Sequence, residues 1–123
     1  MVAGRRKLPE AFERPGSRAR RQQAFARDGL FYFMIHAQPT ASRSGAHRLG
    51  GAYVNCWIDF RNREGALLLA RHFVRRDGWR IRSVQESTWI DGPARAVRGT
   101  LRWYREAQRL GACFVFNTYP RNA

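Results

Sequence analysis

The sequence predicts an α+β domain: a four-stranded sheet with two helices on one face. Three features carry that prediction. They are a strand with strict apolar alternation at Ala52 to Phe60, two helical segments each closed by a glycine, and apolar runs that open and close the folded region. The order of elements reads ββαβαβ.

Leu30 to Ala37 (LFYFMIHA) is aromatic and apolar enough to be a buried first strand, and the polar QPTASRSGAHRLGG stretch after it reads as a long loop. In the second strand Ala52, Val54, Cys56, Ile58 and Phe60 share one face, and Tyr53, Asn55, Trp57 and Asp59 share the other. Asn62 stands where an N-cap belongs. Glu64 follows near the positive end of the helix dipole, and Ala66, Leu69, Ala70, Phe73 and Val74 recur at helical spacing. Gly78 can take the left-handed conformation that closes a helix, so Trp79 and Ile81 open a third strand. Asp91-Gly92-Pro93 supplies a turn and a proline at the first helical position, Ala94 to Leu110 continue as the second helix, and Gly111 stops it. ACFVFNT is the last strand. Because strand-helix-strand crossovers are almost always right-handed, this order suggests both helices on one side of the sheet, as in a ferredoxin-like relative. A hairpin or loop takes the place of the first crossover helix in that scheme. Val54, Ile58, Leu69, Phe73, Ile81, Val97 and Leu101 are the expected single core.

Residues 30–123 are long enough for one domain that buries a core without metal or disulfide staples. Residues 1–29 differ in composition: Arg5, Arg6, Lys7, Arg14, Arg18, Arg20, Arg21 and Arg27 face only Glu10, Glu13 and Asp28, with Pro9 and Pro15 among them. They read as a flexible basic arm, since few apolar residues are present to offset the entropy of ordering it. No stretch approaches a membrane span, and the basic N-terminus lacks the apolar segment of a secretory signal, so a cytoplasmic location is expected. Cys56 and Cys113 fall on different strands without metal-ligand spacing and read as buried free thiols; no cofactor and no metal is expected.

The formal net charge is +14, nearly all of it from arginine, with Lys7 the sole lysine. Excess of this kind favours acidic partners. Arg95, Arg98, Arg102, Arg105 and Arg109 recur at intervals of three, four, three and four, which on a continuous helix makes one stripe, and Glu106 is placed to neutralise part of it. Such a stripe is a solvated helix face, or a docking edge for phosphates or carboxylates. A second candidate surface is the sheet face carrying Tyr53, Asn55, Trp57 and Asp59, joined by Tyr32 and His36 of the first strand. Aromatics there can stack bases or bury themselves in a dimer; the glycine-aromatic signature of RNA-recognition strands is absent, which favours packing or a dimer. His36 with Asp59 is the one pair that outlines a general base, but no nucleophile or oxyanion donors accompany it, so no catalytic residue is assigned.

The run GGAYVNCWIDF, the helix after it, GWRIRSVQE and CFVFNTYP together resemble small bacterial α+β proteins, some of them immunity-type proteins that bind and neutralise a partner. The resemblance covers roughly residues 30 to 120, rests on the Gly50-Gly51 strand entry and on Gly78-Trp79 after a helix, and carries over no catalytic residue. It implies a non-enzymatic protein acting through protein-protein contacts; the excess positive charge adds an acidic protein as the expected partner, the aromatic sheet face adds a second copy of the chain, and no membrane is expected. The alternative from the charge is nucleic-acid binding through the arm and the arginine stripe, and a third is an enzyme using His36 and Asp59.

Overall fold

The computed structural model describes residues 29–122; the arm expected over residues 1–29 lies, apart from Gly29, outside them. The described chain runs β1 (Leu30–Pro39), β2 (Leu49–Ile58), α1 (Arg63–Arg76), β3 (Trp79–Ile90), a 3-10 turn at Pro93–Arg95, α2 (Leu101–Leu110) and β4 (Ala112–Pro120). It is an α+β fold. The four strands form a single sheet in the order β3-β1-β2-β4, antiparallel at every pairing.

The β1-β2 hairpin lies at the centre of the sheet and pairs from Phe31 with Ile58 to Ala37 with Ala52. On one face Phe31, Phe33, Ile35, Val54, Cys56, Ile58, Phe114 and Phe116 meet Ala66, Ala70, Phe73 and Val74 of α1. On the other, Leu30, Trp57, Ile90, Cys113 and Val115 meet Tyr104 and Ala107 of α2. Adjacent residues in a strand point to opposite faces, so these two sets place the helices on opposite sides. The single-faced arrangement expected from the sequence is therefore corrected to a helix-sheet-helix sandwich, and with it the ferredoxin-like scheme, whose helices share a face. The physical reason is that β1 and β4 are apolar on both faces: in β4 the consecutive residues Ala112 to Phe116 are all buried. One helix cannot cover both.

Helix α1 forms as its caps dictate. Asn62 is extended, and its side chain accepts a hydrogen bond of 2.7 Å from the Gly65 amide. At the other end Gly78 has φ +91° and lets the chain turn back into β3. The 40–48 loop is tied to that turn: Thr40 donates from backbone and side chain to the Gly78 carbonyl at 2.9 and 3.0 Å, and Arg43 lies 4.5 Å above the buried Trp79 ring and pairs with Asp77.

The second helix is shorter than expected. Pro93 starts only a 3-10 turn, Ala96 is extended, and Gly99 takes φ +87°, so the helix begins after Thr100 instead of at Ala94. This displaces two residues of the expected core: Val97 is 71% and Leu101 45% exposed, while Leu69 and Ile81 are partly buried and Val54, Ile58 and Phe73 fully so. The two cysteines are buried and form no disulfide with each other, and since Cys56 faces α1 and Cys113 faces α2 they point away from each other.

Phe73 is 5% exposed, with its ring 5.8 Å from that of Phe114. Phe73→Ala is expected to cost about 3 to 5 kcal/mol in chemical unfolding, against a total of about 5 to 15 kcal/mol for a domain. A second check uses the thiols. Burial pushes Cys56 well above the ordinary thiol range, with Cys113 adding to the shift. Both should resist a thiol reagent at neutral pH in the native protein and react on addition of denaturant.

Candidate functional site

Two surfaces collect the residues singled out by the sequence. The first is the part of the sheet that α2 does not cover. An α-helix of ten residues spans about 15 Å, whereas the ten-residue strand β1 spans about 33 Å. Helix α2 sits over the end marked by Leu30, Trp57 and Cys113, and toward the opposite end of the same face Tyr53 is 38% exposed.

At the open end His36 pairs across to Tyr53, and their rings stack with centroids 4.7 Å apart and planes inclined by 15°. The Tyr119 hydroxyl lies 2.6 Å from His36 Nε2, and its ring is 5.8 Å from that of Tyr53. Gly50 and Gly51 make room for Tyr119. A Cβ at Gly50 would come 2.8 Å from its ring, and one at Gly51 2.7 Å from both its ring and the Ala37 carbonyl. Asn117 lies on the same face and donates to the Tyr53 carbonyl at 3.3 Å. One step toward α2, the Tyr32 hydroxyl donates to Asn55 Oδ1 at 2.9 Å. Burial, then the Glu86 and Cys56 charges, push the Tyr32 phenol up to about 12, so it keeps the proton it donates.

Of the predicted sheet-face set, Tyr32, His36, Tyr53 and Asn55 are together on this face. Trp57 shares it but is only 2% exposed, lying beneath α2 with its ring 5.5 Å from that of Trp103. Asp59 is buried beyond the end of β2, six residues past Tyr53, or about 20 Å along the strand from His36's partner. His36 and Asp59 therefore form no pair, and the outline of a general base is not assembled. Tyr119 and Asn117 were missed by the sequence reading, which ended the last strand at Thr118. The period-two alternation continued from Cys113 and Val115 would have placed both on this face.

The second surface is the corner where the Pro93–Arg95 turn meets α2. Arg95, Arg98, Arg102, Arg105 and Arg109 are all exposed, but only the last three belong to a helix; Arg95 sits in the 3-10 turn and Arg98 in the loop after it. The continuous stripe is thus broken at Gly99. Glu106 pairs with Arg109, and Arg102 lies 4.5 Å above the Trp103 ring. Among them stand Val97 and Leu101, the side chains displaced from the expected core. Thr100 ties this corner by donating from its amide and hydroxyl to the Val97 carbonyl at 2.9 and 2.6 Å.

Among the described residues there is no group of three or more His, Cys, Asp or Glu side chains placed to hold a metal ion, and no helix is long and apolar enough to cross a membrane. No protein-family model, no curated protein and no solved structure matches this chain.

Proposed function

We propose that the protein is a non-enzymatic binding module that docks an acidic protein at the corner between the Pro93–Arg95 turn and α2. The observation that carries this reading is the placement of Val97 and Leu101, 71% and 45% exposed, among Arg95, Arg98, Arg102 and Arg105. Single exposed aliphatics are ordinary, and Leu68, 67% exposed and alone on α1, is one of them. Two that flank one tight turn, with arginines between and beside them in the chain, have the anatomy of a small interface: an apolar centre that excludes water and a charged rim that selects an acidic partner and speeds its approach. Phosphate contact would use the arginines but gives no role to the two aliphatics. An immunity-type role, neutralising a partner by binding it, is one form this activity takes.

The test is recovery of a complex from the source cell with nuclease present throughout. Val97→Ser combined with Leu101→Ser should weaken that complex by about 2 kcal/mol or more, roughly thirtyfold, while leaving the melting temperature near its original value because both side chains are solvent-exposed. Arg102→Gln with Arg105→Gln should slow association and flatten its salt dependence. A complex that vanishes with nuclease, or that ignores the serine pair, overturns the reading in favour of nucleic acid or of another surface.

A further inference from the structure

We infer that the open end of the sheet is a second and separate site, which binds single-stranded nucleic acid by stacking an unpaired base on Tyr53. The platform is built before any ligand arrives. The Tyr53 ring is fixed from one side by the stacked His36, which is in turn held by the Tyr119 hydroxyl, and Tyr119 is seated on the Gly50-Gly51 backbone. Tyr53 nevertheless remains 38% exposed, the one aromatic side chain of the described residues that is both large and open. A rigid, partly exposed ring meets a base with little conformational entropy left to lose.

The surrounding charge selects the ligand. At this end of the sheet lie the start of β3, the end of β1, the start of β2 and the end of β4, and each edge brings exposed arginine. Arg80 is on the same face as His36 and donates to Gln38 at 3.1 Å, and Arg82 follows at a register shift of β3. On the other side the Arg121 amide donates to the Arg48 carbonyl just past the last rung of β2 and β4, and the two guanidinium groups donate to the Ala46 carbonyl at 3.5 Å and to His47 Nε2 at 3.3 Å. The carboxylate nearest this end in the chain, Asp77, is engaged by Arg43 at 3.3 Å. Glu86 is on the open face but pairs across to Met34, toward α2, so a strand of phosphates would run along the arginine end and away from it. Cations on both flanks of an exposed ring match a nucleotide chain, whose phosphates lie to either side of each base. The duplex offers no such fit, because its bases are already stacked on one another and present no free face to the ring.

The experiment measures fluorescence anisotropy of labelled oligothymidylate, and of its duplex with oligoadenylate, on the full chain. Tyr53→Ala should weaken single-strand binding by roughly five- to hundredfold, the range for losing one stacked base, and leave duplex binding unchanged. Tyr53→Phe should bind like the original. Arg80→Gln should lower the single-strand salt slope by about 0.7. Equal losses on single strand and duplex, or none with Tyr53→Ala, would overturn the inference; so would a Tyr53→Ala protein that loses a dimer in sedimentation while its single-strand affinity is unchanged. The Val97 and Leu101 variants should not alter oligothymidylate binding, which keeps the two sites distinguishable.

Discussion

The β1-β2 hairpin must be covered on both faces, and the rest of the structure depends on that constraint. Leu30 and Phe31, neighbours in β1, are both buried, as are Trp57 and Ile58 in β2, so neither face of the hairpin can be left to water. Burial of a large side chain contributes about 1.5 to 3 kcal/mol, so leaving two of these four in water would remove about 3 to 6 kcal/mol from a total of about 5 to 15 kcal/mol. The chain meets the constraint with one helix per face. It then extends the sheet with β3 on one side and β4 on the other, each placed by the helix that precedes it.

Coverage is unequal, and both candidate surfaces come from that inequality. Helix α1 has fourteen residues and a full cap, so it spans most of its face. Helix α2 has ten, because Gly99 interrupts the helical run before it. The helix packs on the Leu30, Trp57 and Cys113 end of its face, Tyr53 toward the other end is 38% exposed, and the break in the helical run leaves Val97 and Leu101 exposed.

Much of this was legible from residues 29–122 as a sequence. The alternation in β2, the Asn62 cap and the Gly78 stop each have one dominant local meaning, and the elements they define are present. Helix placement was not legible in the same way. The alternation of β2 suggested one apolar face, whereas the unbroken apolar runs LFYFMI and ACFVF called for two, and periodicity alone does not say which strand governs. The arginine stripe misled for a related reason. Spacings of three and four are helical only if the backbone is, and Gly99-Thr100 carries its own signal of a break followed by a new cap. The platform was half legible: Tyr53 and His36 could be placed, but their contact with Tyr119 depends on the pairing of β2 with β4, which joins residues 66 apart in the chain at Tyr53 and Tyr119.

Native-state hydrogen exchange tests the central claim most directly. If coverage of the hairpin on both faces holds the fold together, the amides of β1 and β2 that bond within the hairpin should exchange only through global unfolding and respond to denaturant with the slope of the whole domain. Those of the Pro93–Arg95 turn and the first turn of α2 should exchange by local opening well below that free energy. Hairpin amides that exchange locally while α2 stays protected would contradict the account, since the fold would then be held by its periphery.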